Sequence, residues 1–177
     1  MKKALRRPFA LALFVSMVAV LLIADRFTKI LAVEHLSDAG SIPFIPGILD
    51  FTLVYNEGVA FGLFTGANLV FVVVALLVSL SVITYLLYGR SHKLIEVVSL
   101  GLIVAGALGN LVDRIRISAV IDFIRTTFVE FPVFNIADSC VTIGCLMLML
   151  YIIVLTRKNT KSGSKKNTEP DSLEEGS

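Results

Sequence analysis

Acidic, basic and amide residues lie at the ends of long apolar stretches in this sequence. They are Asp25, Lys29, Asn56, Asn110, Asp113, Arg114, Asp122, Asn135 and Asp138. Ionisable groups at membrane depth are costly, so they usually face a bundle interior or a water-filled cavity, where they pair or form a site. The clustering therefore predicts a functional site rather than surface decoration.

Paired carboxylates are the chemistry that this set favours. Two carboxyl groups a few ångströms apart cannot both ionise cheaply, so one can activate water as a base while the other polarises a peptide carbonyl. No Ser in the polar loops has a His or Lys base beside it in a recognisable motif. Cys140 and Cys145 have no nearby His, which favours apolar packing over zinc binding or a disulfide. Neither His35 nor His92 indicates a metal ligand, so we expect no metal and no cofactor.

The elements that must position these residues are four apolar stretches. The chain has 177 residues, 56% hydrophobic and 17% charged, which is too apolar for an ordinary soluble domain. About 20 apolar residues of helix cross about 30 Å of hydrocarbon. We predict transmembrane helices over about residues 9–28, 68–88, 94–112 and 136–155, forming one domain over residues 1–156. The first stretch also fits a cleavable signal peptide, but no small-x-small cleavage site follows Leu22, so the helix is predicted to stay.

Lys and Arg residues are distributed unevenly among the predicted loops. Eleven of the sixteen precede the first helix, join the second to the third, or follow the fourth. Short loops rich in these residues tend to remain cytoplasmic. Both termini are therefore predicted to be cytoplasmic, and the two other loops and the polar site to lie at the outer face.

The loops differ in composition. Residues 48–55 are rich in β-branched and aromatic residues and predict a strand within a small sheet on the bilayer surface. Residues 113–138 mix Arg with Phe and predict an amphipathic interfacial segment that could cover a cleft. Residues 157–177 are polar and charged and predict a disordered cytoplasmic tail. The fold class is thus an all-α membrane protein with a small extracytoplasmic sheet.

Five segments, in this order, resemble the motif set of the lipoprotein signal peptidase family, also called signal peptidase II. They are Asp25–Lys29, Asn56–Gly62, Gly106–Arg114, Val120–Phe123 and Phe134–Ser139. The resemblance implies that Asp122 and Asp138 form the catalytic pair of an aspartic endopeptidase. It also implies substrate-binding or orienting roles for a wider set, namely Asn56, Gly58, Asn110, Arg114, Asn135, Asp25, Lys29 and Gly109.

The implied reaction removes the signal peptide from bacterial prolipoproteins, on the amino side of the diacylglyceryl-modified Cys. The implied partners are these prolipoproteins and membrane lipids, with no nucleic acid, and the chain is expected to be a monomer in the bacterial cytoplasmic membrane. The interfacial loops could close over the substrate.

Several residues keep a structural alternative. Asp113 adjoins Arg114, so a permanently ionised structural pair is favoured over a catalytic role for Asp113. Arg114 could bind substrate or only pair with that acid. Asp25 and Lys29, four apart, could form a helix-stabilising ion pair or contact substrate. Gly109, like Gly106, favours close helix packing.

Two other functions fit the sequence less well than a peptidase does. A carboxylate-coupled transporter would also place acids within helices, but these acids lie at one membrane face, and no pair of broken helices is visible. A membrane scaffold would not need two acids and three Asn residues at one end of the bundle.

Overall fold

The computed structural model describes residues 4–58, 68–89 and 91–166 of the chain, residues 158–166 by their backbone alone. The elements in chain order are β1 (Leu5–Arg6), α1 (Arg7–Leu36), β2 (Ser41–Ile45), β3 (Leu49–Asn56), α2 (Asn68–Tyr88), β4 (Ser91–His92), α3 (Leu94–Ile117), β5 (Val120–Thr126) and α4 (Ile136–Lys166). The four α-helices are long and apolar enough to cross a membrane, which confirms the predicted fold class.

Three helices extend beyond their predicted ends. α1 reaches Leu36 and α3 reaches Ile117, rather than residues 28 and 112. The first polar residue of each extension, Lys29 on α1 and Asp113 on α3, pairs with the other inside the protein. Ser118 then ends α3 with a left-handed backbone, φ 58°. α4 continues through Lys166, past residue 157, where the sequence predicted a disordered tail. Four Lys residues among residues 158–166 favour the helix, although Gly163 and the Ser, Thr and Asn residues there do not. Residues 167–177 of that predicted tail lie outside the described residues.

α3 is the central helix, and it packs most extensively against α4 and α1. One apolar core joins α1, α2 and α3 and consists of Ala10, Phe14, Val18, Val82, Leu86, Val97, Val104 and Ala105. Small residues bring α3 and α4 close together. A Cβ added at Gly106 would overlap the carbonyl oxygen of Ala137, and one at Gly144 would stand 2.7 Å from the carbonyl oxygen of Ser99.

The outward surfaces of the helices are apolar. On α2, Leu69 is 73% exposed and Leu80 is 63% exposed. Large exposed apolar surfaces are unusual on proteins that face water and mark contact with a membrane or another apolar partner. These apolar surfaces are suited to contact with the hydrocarbon of a bilayer, and the length and composition of the helices are those of membrane-spanning helices.

A three-stranded antiparallel sheet in the order β2-β3-β5 lies at one end of the bundle. β3 confirms the strand predicted over residues 48–55. β5 occupies the middle of residues 113–138, where the sequence predicted an amphipathic segment, because its β-branched and aromatic residues complete the sheet by pairing with β3. The register sets Val54 opposite Asp122 and Asn56 opposite Val120. At the other end of the bundle, β1 and β4 form a two-stranded antiparallel ribbon.

Candidate active site

Asn135 and Asp138 form a reciprocal cap at the start of α4. The Asp138 backbone N–H donates to Asn135 Oδ1 at 2.9 Å, and the Asn135 N–H donates to Asp138 Oδ2 at 3.2 Å. This is the capping-box arrangement, in which side chains at the N-cap and at the third helical residue satisfy each other's backbone donors. The cap fixes the Asp138 carboxylate at the positive end of the helix dipole, where a negative charge is favoured.

Asp122 lies on β5 and is 2% exposed. Its two carboxylate oxygens each accept an amide hydrogen bond, Oδ1 from Asn135 Nδ2 at 2.7 Å and Oδ2 from Asn56 Nδ2 at 2.9 Å. Asn56 is in turn fixed by the Gly58 N–H, which donates to its Oδ1 at 3.0 Å. Strand pairing and these two amides thus orient Asp122.

Asn110 and Asn135 link the two acids. Asn110 Nδ2 donates to Asp138 Oδ1 at 2.7 Å, and Asn110 Oδ1 accepts from Asn135 Nδ2 at 3.1 Å. Asn135 therefore contacts Asp122 through its side chain and Asp138 through its backbone and its Oδ1. Since a carboxamide both donates and accepts, it can hold two carboxylates in register without adding charge.

Lys29 is fully buried and lies behind this network. Its Nζ is 2.9 Å from Asp25 Oδ2 and 2.8 Å from Asp113 Oδ2, and it donates to Asn110 Oδ1 at 3.0 Å. The ion pair expected between Asp25 and Lys29 is therefore formed. Arg26, 3.3 Å from Asp113 Oδ1, adds a second cation to that carboxylate.

Asp25 also connects the first helix to the last. Its Oδ1 accepts the backbone N–H of Ala137 at 3.0 Å, which satisfies one of the free donors in the first turn of α4. Gly109 makes the approach possible, because a Cβ there would stand 2.8 Å from Asp25 Oδ2 and 3.1 Å from Ala137 Cβ. Asp25, Lys29 and Gly109 therefore support the acids from behind.

Arg114 does not pair with Asp113, contrary to the alternative raised from their adjacency. Adjacent residues on a helix point in different directions, so Asp113 turns inward to Lys29 while Arg114 turns toward the acids. Arg114 Nη2 donates to the Gly58 carbonyl oxygen at 3.4 Å, and its guanidinium carbon lies 4.9 Å from the centre of the Phe71 ring. Asp113 forms ion pairs, as the structural alternative predicted, but its partners are Lys29 and Arg26 and not Arg114.

A cavity of about 450 Å³ opens beside the two acids. Its polar lining comprises Asn56, Asn110, Arg114, Asp122, Asp138, Ser139 and Thr142. Its apolar wall comprises Val120, Ile143 and the segment 131–134, which contains two Phe residues and Pro132. The cavity therefore combines a polar floor with an apolar wall, as sites for amphipathic ligands do.

Burial raises the pKa of Asp122 to about 7, and the nearby negative charge of Asp138 adds to the rise. The hydrogen bonds from Asn56 and Asn135 favour the ionised form of Asp122 and therefore oppose this rise in its pKa. A carboxyl group with this pKa can hold a proton near neutrality. Asp138 lies at the N-terminus of α4 and accepts hydrogen bonds from Asn110 Nδ2 and the Asn135 N–H. The two acids therefore lie in different surroundings.

The structure brings together the residues that the sequence singled out. Asp122, Asp138, Asn56, Gly58, Asn110 and Arg114 line the cavity, while Asn135, Asp25, Lys29 and Gly109 lie behind it. Sequence reasoning missed Arg26, Asn68 and Phe71. An Asn before an apolar run is typical of a helix start, but nothing marks Phe71 among the apolar residues around it.

Four membrane-length helices and two carboxylates at one cavity define the class: a polytopic membrane protein with a paired-acid site. A family profile described as "Signal peptidase (SPase) II" matches residues 17–154. The chain belongs to the signal peptidase II family, which confirms the predicted family and the predicted enzyme class, a bacterial membrane peptidase of the aspartic type.

Individual relatives agree with the profile. A lipoprotein signal peptidase of Clostridium acetobutylicum is 39% identical over 140 residues, which cover 77% of this chain and 91% of the relative. One of Enterococcus faecalis is 36% identical over 145 residues, covering 82% and 89%. A solved bacterial membrane enzyme is 30% identical with a TM-score of 0.72, covering 78% of this chain and 91% of that chain. A second one is 26% identical with a TM-score of 0.72, covering 91% and 94%.

Proposed function

We propose that the chain removes the signal peptide from bacterial prolipoproteins by cutting on the amino side of the diacylglyceryl-modified Cys, with Asp122 and Asp138 as the catalytic pair. The observation that carries the assignment is that both carboxylates line one cavity and share Asn135 as a hydrogen-bond partner. Asp25 and Asp113 are excluded from the pair because both are engaged by the buried cation of Lys29.

In the proposed mechanism, Asp122 carries the proton and Asp138 is ionised. Asp138 accepts a proton from water as the water oxygen bonds to the scissile carbonyl carbon, and Asp122 donates a hydrogen bond to the carbonyl oxygen. The tetrahedral intermediate then collapses and the C–N bond breaks as Asp138 passes the proton taken from water to the leaving nitrogen, which leaves Asp138 ionised and Asp122 protonated again. The raised pKa of Asp122 supports this division of roles.

The remaining site residues orient the substrate and the acids. Asn56, Asn110 and Asn135 set the directions of the two carboxylates. The guanidinium of Arg114 and the backbone of Gly58 lie at the cavity, where they would bind carbonyl groups of the extended substrate. The apolar wall over residues 131–134 would contact the side chains of the signal peptide or the lipid of the substrate Cys.

The proposed location is the bacterial cytoplasmic membrane, with both termini cytoplasmic, the acids near the outer face and the sheet on the bilayer surface. A monomer is proposed, because one copy already holds both acids and the amides that orient them. Fusion of alkaline phosphatase to the C-terminus tests the orientation. The fused phosphatase should stay inactive if the C-terminus is cytoplasmic, and phosphatase activity would show that the topology is the reverse of the proposed one.

The decisive experiment is a gel-shift assay with purified protein and diacylglyceryl-modified prolipoprotein in detergent. Wild type is expected to cleave, and Asp122→Asn and Asp138→Asn are expected to lose activity. Asp50→Asn is a matched control, because this acid pairs with Arg125 on the sheet and does not line the cavity. Cleavage by either site variant at the wild-type rate would remove that acid from the mechanism.

A further inference from the structure

The guanidinium of Arg114 is placed at the cavity by an unusual set of contacts. Its Nη2 makes one long hydrogen bond, 3.4 Å, to the Gly58 carbonyl oxygen. Among residues 4–58, 68–89 and 91–166, it has no carboxylate at ion-pair distance. Asp122 and Asp138 nevertheless line the same cavity. Within these described residues the long Arg side chain has one weak hydrogen bond and many available rotamers, so a further contact is needed to restrict it.

Phe71 supplies that restriction. The guanidinium carbon lies 4.9 Å from the ring centre of Phe71, within the distance at which a cation is attracted to an aromatic face. A planar guanidinium also stacks on an aromatic ring. The ring therefore gives Arg114 a preferred position that the Gly58 hydrogen bond alone would not fix.

The first turn of α2 is tied to the last turns of α3, so the Phe71 ring has a fixed place. Asn68 Nδ2 donates to the Arg114 carbonyl oxygen at 3.2 Å, and the same oxygen accepts the Ser118 N–H at 3.1 Å. Asn68 and Phe71 are three residues apart on α2 and so lie on one face of the helix. One face of α2 thus holds both the backbone and the side chain of Arg114.

We infer that Phe71 is a positioning residue for the peptidase reaction: its ring holds the guanidinium of Arg114 at the cavity, where the guanidinium binds the substrate backbone. The inference rests on the proposed function of Arg114. Because Arg114 binds substrate in the ground state, loss of the ring should raise KM and leave kcat nearly unchanged. A cation–π contact of ordinary strength corresponds to about a two- to fivefold change.

A double-mutant cycle on prolipoprotein cleavage tests this inference. Phe71→Leu is expected to raise KM about two- to fivefold in the wild-type background, and to have no effect on KM in an Arg114→Gln background. Phe71→Tyr keeps an aromatic face and should restore the wild-type KM. Leu69→Ala, at a site 73% exposed on the same helix, is the control for loss of an α2 side chain and should leave KM unchanged.

Equal KM effects of Phe71→Leu in both backgrounds would overturn the inference, because Phe71 would then act only through the fold. A second readout needs no cleavage. In protein labelled with ¹⁵N-arginine, the ring of Phe71 should shift the guanidinium resonances of Arg114 upfield, and Phe71→Leu should remove that shift. If wild type does not cleave, the proposed function fails while this spectrum still decides the contact; if wild type cleaves and no ring shift exists, only the role of Phe71 fails.

Discussion

Removing the amide of Asn56 should move the alkaline limit of activity to higher pH. Burial raises the pKa of Asp122 to about 7 against the opposing hydrogen bond from Asn56 Nδ2, which is 2.9 Å from Asp122 Oδ2. A hydrogen bond to a charged group contributes about 1.5–3 kcal/mol, and about 1.4 kcal/mol corresponds to one pKa unit. Asn56→Ala should therefore raise the pKa of Asp122 further, by about one unit.

The sign follows from the proposed role of Asp122 as the protonated acid. Activity is present below its pKa and falls as pH rises through it, so wild type should lose activity above about pH 7. In Asn56→Ala the same fall should occur about one unit higher, with a lower plateau because the carboxylate is less well oriented. The measurement is kcat/KM for prolipoprotein cleavage across a pH series that spans the alkaline limits of both wild type and Asn56→Ala.

Thr52→Ala is the matched control for the Asn56 prediction. Thr52 lies on the same strand, and its hydroxyl donates to Ser41 Oγ at 2.8 Å on the exposed side of the sheet. Its loss should leave the pH profile unchanged. An alkaline limit that stays in place or moves to lower pH in Asn56→Ala would refute Asp122 as the proton-bearing acid.

Two further predictions concern the support behind the acids. Lys29→Met leaves the buried Asp25 carboxylate without its Lys29 partner and leaves Asp113 with Arg26. It should lower the free energy of unfolding by about 3–5 kcal/mol, seen as a lower thermal unfolding midpoint in detergent. Arg26→Gln, at a partly exposed cation, should cost less than about 1 kcal/mol, and equal losses would contradict the buried network. Gly109→Ala places a methyl group 2.8 Å from Asp25 Oδ2 and should reduce both stability and cleavage. Gly101→Ala meets only the flexible end of a methionine and should be milder, so the reverse order would argue against the close approach at Gly109.

The sequence predicted the parts of the fold that depend on local pattern. The apolar runs gave the four spanning helices, and the spacing of Asp25 and Lys29 gave an ion pair that the structure confirms at 2.9 Å. The ion pair between Lys29 and Asp113 could not be predicted from the sequence, because it depends on how α1 packs against α3. Side-chain direction around a helix likewise separates Asp113 from Arg114 despite their adjacency.

In the candidate site, too, local contacts could be predicted from the sequence, and contacts between distant segments could not. Asn135 and Asp138 are three residues apart, and such a pair before an apolar run is a local capping signal. The place of Asn56 beside Asp122 required the register of β3 against β5, with its irregularity between Phe51 and Val54. Register depends on which face of the sheet is buried, and that is a property of the assembled structure.

The hydrogen bond from the Ala137 N–H to Asp25 has a consequence for how the protein is made. It joins residues 112 positions apart, in the first and the last spanning helices. Synthesis proceeds from the N-terminus, so a nascent chain with three helices inserted carries Asp122 but lacks Asp138, its cap and the backbone donor that Asp25 requires. With Asp122 and Asp138 as the proposed catalytic pair, we expect peptidase activity to arise only after the fourth helix has entered the membrane, and a truncated chain left by stalled translation to be inert toward neighbouring signal peptides.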